Sequence, residues 1–255
     1  MPPSPAEPRT GWVLRHPSKF GTITVRARKN GTRTYRQKGG NQSTVDEQGV
    51  SLDTYIHALY GLALQRTSMS TLMIGCAGGT LATMLARTGR KIAIVDIDRA
   101  AFKLAKLYFA LPKSIACHVS DGLMFLKKVR KRYDTIILDA FVGEEIPDHL
   151  KGGYFFKAVK TRVRPDGLVL VNVCLHGRAD PTADTIAKGF MALGWPAKIF
   201  DEPGGARNAI VCAGNVKGLR KPGISALPTV EVGLLRKNIR AMKFRKARAA
   251  KVKRG

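Results

Sequence analysis

Apolar and polar positions alternate along this chain with two different periods. Between Trp12 and Thr44 the period is two: Thr22-Ile23-Thr24-Val25-Arg26 and Thr32-Arg33-Thr34-Tyr35-Arg36 flank Lys29-Asn30-Gly31. Asn-Gly between alternating runs signals a hairpin, because the tightest hairpin turns need positive φ at their central residues. A small N-terminal β-hairpin unit is expected. A helix follows over 52–64, where Tyr55, Leu59, Leu62 and Ala63 fall at helical spacing. Beyond residue 70, strand-like and helix-like segments alternate. Strands are predicted at 71–74, 91–95, 115–119, 135–138, 168–173, 197–200 and 209–213, and helices at 80–87, 99–109, 122–129, 154–163 and 182–193.

The first five of these strands are nearly continuous in apolar residues, as in a parallel sheet covered on both faces. The last two, joined by a short connection, are expected as an antiparallel pair at one edge. The predicted fold class is therefore α/β: a doubly wound, Rossmann-like, seven-stranded and mostly parallel sheet behind a β-hairpin unit. The expected divisions are a disordered N-terminus (1–11), the hairpin and helix (12–66), a nucleoside-binding domain (67–214) and a basic C-terminal tail (215–255). Within the tail, 231–246 reads as a helix.

Chemistry is expected where the strands end. Gly75-Cys76-Ala77-Gly78-Gly79 directly follows the first strand of the domain and opens a helix, the place where glycine lets a ligand lie against the backbone. Asp96 ends the second strand, 21 residues after Gly75, where a carboxylate can take both ribose hydroxyls. The third glycine of the dinucleotide motif is missing, and no second mononucleotide half is marked. A single adenosine-type ligand fits better than NAD. Asp121-Gly122 follows the third strand, beside the expected adenine, and Asp139 ends the fourth. Each acid alone also suits a helix N-cap; three at successive strand ends facing one crevice define a nucleoside site.

Charge adds a second theme. Forty-four Lys and Arg stand against 18 Asp and Glu, for a net +26. Residues 215–255 hold thirteen basic residues and one acid (Glu231), and residues 1–50 hold nine and three. Such basic ends suit either a nucleic acid or other polyanion, through phosphate neutralisation, or plain solvation. No apolar run approaches the ~18 residues of a membrane span, and prolines occupy the N-terminus where a signal peptide would be apolar, so a cytoplasmic protein is expected. The four cysteines (Cys76, Cys117, Cys174, Cys212) lack CxxC spacing and read as reduced thiols; no metal site is expected. Cys76 reads as packing. His149 and His57 read as structural side chains with a lesser claim as bases, and Tyr108-Phe109 and Phe155-Phe156 as core or dimer contacts in an expected homodimer.

A run of motifs then becomes familiar: Ile94-Val95-Asp96-Ile97-Asp98, Leu107-Tyr108-Phe109, Val119-Ser120-Asp121-Gly122, the segment from Tyr133 to Phe141 that contains Asp139, Pro147-Asp148-His149-Leu150, and Phe155-Phe156. In this order they resemble the spermidine synthase-like (polyamine aminopropyltransferase) family, whose domain is a variant of the class I methyltransferase fold, over about residues 20–213. The resemblance implies that Asp96 holds the ribose, that Asp121 and Gly122 hold the adenine, and that Gln42 meets the aminopropyl portion of the nucleoside, with Gly75 and Gly78 in the loop beneath it. Tyr55 would contact the amine acceptor, and Asp139 would orient and deprotonate it. The co-substrate implied is decarboxylated S-adenosylmethionine, with no metal.

The sequence departs from the family at two points. Val142 replaces a second aspartate three positions after the catalytic one, and Ala77 replaces an aspartate of the glycine loop. Glu144 and Glu145 lie close enough in sequence to supply the missing charge. Three readings follow: aminopropyl transfer to an amine, methyl transfer from S-adenosylmethionine, and non-catalytic nucleoside binding combined with polyanion binding through the basic ends.

Overall fold

The structure is a computed structural model that describes residues 11–67, 69–202 and 204–249; the segment 1–10, expected to be disordered, lies outside the described residues. The N-terminal unit is larger than a hairpin. Strands β1 (Trp12–His16), β2 (Ile23–Ala27), β3 (Arg33–Gln37) and β4 (Gly40–Val45) form an antiparallel sheet in that order. The Asn30-Gly31 turn joins β2 to β3 as expected, with Gly31 at φ +79°. The flanking strands escaped the pattern because β4 is mostly polar (Gly40-Asn41-Gln42-Ser43-Thr44-Val45) and β1 has no fully buried position. One face of this sheet buries Ile23, Val25, Tyr35 and Val45 against Leu104, Tyr108 and Phe109.

Helix α1 (Thr54–Leu64) leads into the main domain. There β5 (Ser70–Ile74), α2 (Thr80–Ala86), β6 (Lys91–Asp96), α3 (Arg99–Tyr108), β7 (Ala116–Val119), α4 (Gly122–Lys128) and β8 (Tyr133–Leu138) alternate. A 3-10 turn (Asp148–Leu150), α5 (Gly153–Arg162), β9 (Val163–Leu175), α6 (Thr182–Met191), β10 (Ala197–Asp201) and β11 (Arg207–Gly214) complete the predicted elements. Strands β7, β6, β5, β8 and β9 run parallel, and β11 and β10 follow antiparallel. Successive strand residues face opposite layers. Met73 and Ile137 pack with Leu59, Leu81 and Leu85 on one side, whereas Leu72, Ile74 and Leu138 pack with Leu126, Phe155 and Phe190 on the other. Phe109, Phe155 and Phe156 are therefore core residues of this chain.

The C-terminal segment corrects two expectations. The sheet has eight strands because β12 (Lys243–Arg245) adds to β10, so the basic segment returns to the domain instead of leaving it. The helix expected over 231–246 stops at Ala241, as α7 (Val232–Ala241). The thirteen cations hid an apolar minority that decides the path. Ile239 and Met242 are buried in the cluster that holds α1, Leu235 is buried on α7 as well, and the Phe244 ring lies 5.0 Å from that of Phe200. Ion pairs lock the return: Arg245 binds Asp184 at 2.6 Å and Asp201 at 2.9 Å, and Arg207 binds Asp201 at 2.7 Å. Burial pushes the Asp201 carboxyl up, but the two guanidinium groups outweigh it and hold the group below the usual carboxylate range.

Without Arg245 the Asp201 carboxylate keeps Arg207, but the buried Asp184 keeps, among the described residues, only the more distant Arg248 guanidinium at 3.9 Å. Breaking a buried pair from one side is costly. Arg245→Ala is therefore expected to lower stability at pH 7 by about 2–3 kcal/mol, measured as the denaturant midpoint. Because the folded pKa of Asp201 is depressed, its contribution is complete above the unfolded carboxylate range and disappears as pH falls through the folded value. The deficit of the variant should narrow in the same direction.

Candidate active site

The chain runs from β5 outward to β7 and then returns to β8 on the other side of β5, which makes the β5–β8 boundary a topological switch point. A cavity of about 450 Å³ opens there at the carboxyl ends of the strands, with Tyr35, Gln37 and Gln42 of the N-terminal sheet in its wall. Gly75 ends β5 at φ +102°, and a Cβ built on it would stand 2.0 Å from the Asp139 carbonyl oxygen. Only glycine allows the two strand ends to meet this closely. The backbone then turns through Ala77 at φ +44°.

On the nucleoside side, Asp96 accepts from the Cys76 N–H and the Asp98 N–H, each at 2.8 Å. Burial pushes its carboxyl up to about 6, against the pull of those amides. The phenol of Tyr35 is pushed upward by burial and by facing Asp96. Asp98 also lines the cavity: one oxygen caps α3 through the Ala100 N–H at 2.9 Å, and Oδ2 is buried with no hydrogen-bond partner among the described residues. Asp121 caps α4 through the Met124 N–H at 3.0 Å, and its other oxygen meets His149 Nε2 at 2.6 Å. Burial pushes Asp121 up, but these two partners prevail and hold it below its usual range.

On the opposite side, Asp139 stands at the end of β8, where burial pushes its carboxyl up to about 6 despite a 2.8 Å hydrogen bond donated by Asn172. Tyr55 donates to the Gln42 carbonyl at 3.3 Å, which joins α1 to β4 across the cavity wall. Asp53, two residues before Tyr55, accepts from the Thr44 N–H at 2.8 Å and is likewise raised by burial to about 6.

Gly75, Asp96, Asp121, Gly122, Gln42, Tyr55 and Asp139 thus share one cavity. Gly78 does not line it. Its N–H donates to Ser43 Oγ at 3.1 Å, and an added Cβ would meet Ser43 and Phe109 at 2.9–3.0 Å, so it seats the glycine loop on β4. His57 is buried away from the cavity, with Nε2 2.7 Å from the Ser51 carbonyl. Cys76 lines the cavity, but burial pushes its thiol well up, as suits a packing residue. Sequence reasoning missed Tyr35, Asp98, Asn172, Cys174 and Asn208, all of which line the cavity. Asn172 left one trace, a polar residue inside the apolar run of β9.

An α/β sheet with a glycine turn, a carboxylate at each of three strand ends and a crevice at the switch point is the arrangement of the class I methyltransferase type of fold. Residues 54–174 match the spermine/spermidine synthase domain model. A probable polyamine aminopropyl transferase of Bifidobacterium longum is 31% identical over 159 residues, 60% of this chain and 36% of that protein. A polyamine aminopropyltransferase of Vibrio vulnificus is 31% identical over 121 residues, 45% of this chain and 40% of that one. The matched stretch thus spans less than half the length of these curated relatives. The crystal structure of a probable spermidine synthase from Corynebacterium glutamicum shares the fold, with a TM-score of 0.74 at 15% identity over 96% of this chain and 99% of that one. Over residues 54–174 the chain is thus similar to the spermidine synthase-like family. Among the described residues, no helix is long and apolar enough to cross a membrane, and no three His, Cys, Asp or Glu side chains converge as metal ligands.

The raised Asp139 makes a testable demand on stability. Above about pH 6 the folded protein holds a poorly solvated charge that the unfolded chain solvates freely, and below about pH 4 the group is neutral in both states. Asp139→Asn should therefore stabilise the protein at pH 7.5 by about 1–2 kcal/mol, with the gain fading as pH falls from 6 to 4. Thermal melts across that range measure it. If Asp139 instead served only to cap the following loop, Asn would destabilise slightly at every pH.

Proposed function

We propose that this chain transfers an aminopropyl group from decarboxylated S-adenosylmethionine to an amine, a step of polyamine synthesis. The observation that carries this reading is the contrast between the cavity and the rest of the chain. The chain as a whole is +26, yet its cavity is lined by Asp96, Asp98, Asp121, Asp139 and Glu144, with Lys19 the one lysine or arginine among the lining residues. A site of that sign attracts a cation at short range whatever the net charge does at long range. The donor is a sulfonium and the acceptor an ammonium, so both are cationic.

Asp96 and Asp98 stand where ribose hydroxyls would be held, Asp121 and Gly122 where the adenine would lie, and Gln42 near the aminopropyl arm. Tyr55 and Asp139 receive the acceptor. An ammonium has no lone pair, so Asp139 binds the cation and takes a proton from it. The freed nitrogen then attacks the carbon beside the sulfonium, the C–S bond breaks, and its electron pair leaves on the sulfur of the thioether nucleoside. No metal is required, because the sulfonium is already a leaving group. Methyl transfer from S-adenosylmethionine would use the same nucleoside side. The two donors differ only by a carboxylate, which an acid-lined cavity disfavours. The basic exterior suits a polyanion partner, and a homodimer in the cytoplasm remains the expectation for assembly and location.

Calorimetric titration with the two donors tests the reading, and tighter binding of the decarboxylated form is expected. Preference for S-adenosylmethionine would transfer the site to methyl chemistry. Asp96→Ala should weaken donor binding more than a hundredfold, about 3 kcal/mol for two charge-assisted hydrogen bonds, with circular dichroism unchanged. Asp139→Asn should keep donor binding yet cut single-turnover transfer to putrescine, spermidine or another accepted amine by roughly 10²-fold or more. An Asn variant as fast as the parent would remove Asp139 from the chemistry.

A further inference from the structure

Three neighbouring strands each place a polar side chain beneath the amine side of the cavity, and these side chains are joined end to end. Asn208, on β11, donates through Nδ2 to Asn172 Oδ1 at 3.0 Å and to Cys174 Sγ at 3.5 Å. Asn172, on β9, donates through Nδ2 to Asp139 Oδ1 at 2.8 Å. Asn172 is 1% exposed, so its amide has little water to satisfy it in any other orientation. In the structure the Asn208 amino group lies between Oδ1 of Asn172 and the sulfur of Cys174, and Asn172 turns its own amino group toward Asp139. A hydrogen on Asp139 Oδ1 would then face a donor instead of an acceptor.

We propose that Asn172 and Asn208 are positioning residues that tie Asp139 Oδ1 to the sheet, hold the carboxylate in its ionised, accepting form, and leave Oδ2 as the oxygen that meets the substrate amine. The identity of the group at Oδ2 rests on the aminopropyl-transfer reading; the tie at Oδ1 does not. The titratable groups that face Asp139 are Tyr55 and Asp53 at the start of α1 and Cys174 on β9. Burial raises the phenol and the thiol, so both are neutral near pH 7. The Asp53 carboxyl, raised to about 6, titrates in the same range as Asp139 and has to be distinguished from it.

The test follows carboxyl signals of the full chain labelled with ¹³C-aspartate from pH 4 to 9, with the Asp139 signal assigned by its absence in Asp139→Asn. In Asn172→Leu, which keeps the volume and removes the donor, the Asp139 midpoint should rise by about one pH unit. Asn208→Ala, which frees the Asn172 amide to turn, should raise it by less. In the unsubstituted protein the Asn172 side-chain amide protons should shift with the same midpoint as Asp139, a measurement that needs no variant to fold. An unchanged Asp139 midpoint in a folded Asn172→Leu protein, or Asn172 amide signals that stay flat while Asp139 titrates, overturns the proposal. The acid limb of the transfer rate should move with the NMR midpoint. A parent protein that ionises as expected but reacts with no amine would overturn the transfer reading and leave the tie between Asn172 and Asp139 standing.

Discussion

The site is built on a contact between two pieces of backbone that only glycine permits. Where β5 ends, the Gly75 α-carbon lies against the carbonyl of Asp139 at the end of β8, with no room for a side chain between them. The Gly75 N–H is bonded to Val95, and the Asp139 N–H to Ile74, each at 2.8 Å, so three strand ends are fixed by the same sheet. From that junction the glycine turn leads toward Asp96, while β8 delivers Asp139 to the other side of the cavity. The two carboxylates are therefore set relative to one another by strand ends of one sheet, with little dependence on loops.

Charge works against stability in this cavity. Asp96 and Asp139, which line it, and Asp53 behind Tyr55 are all pushed up by burial, and among the described residues none of the three carries a direct lysine or arginine partner of the kind that stabilises Asp201. Amide and hydroxyl donors alone hold them. A carboxylate left in that condition is a poor structural element and a good receptor for a cation. The chain's own cations are spent elsewhere, on the exterior and on the return of the C-terminal segment, so the cavity remains acidic inside a basic protein.

The parallel core was legible because burial on both faces forces continuous apolar runs, and strand-end acids follow from where those runs stop. The same logic located Asp96, Asp121 and Asp139. Other features depend on contacts between residues far apart in sequence and left little local trace. Asn172 and Asn208 are 36 positions apart and meet only because β9 and β11 pair antiparallel. Gly78 looked like part of a ligand loop, and its actual neighbour is Ser43 on a strand too polar to be recognised. The C-terminal segment was obscured by its composition: lysine and arginine dominate the count, but Leu235, Ile239, Met242 and Phe244 determine where it goes.

Strand β12 has three residues, and two of them, Lys243 and Arg245, carry positive charge. It lies over the outer rim of β10, whose Ile199 and Phe200 are fully buried. Without it, an apolar strand with unpaired amides and carbonyls would form the margin of the sheet, the arrangement that templates strand addition between molecules. A short strand pairs that margin and then offers little to a neighbour: too few backbone groups for a stable ladder, and an exposed lysine, Lys243, on every copy. The C-terminal segment thus also serves as protection against self-association through the sheet, a role separate from anything that happens in the cavity.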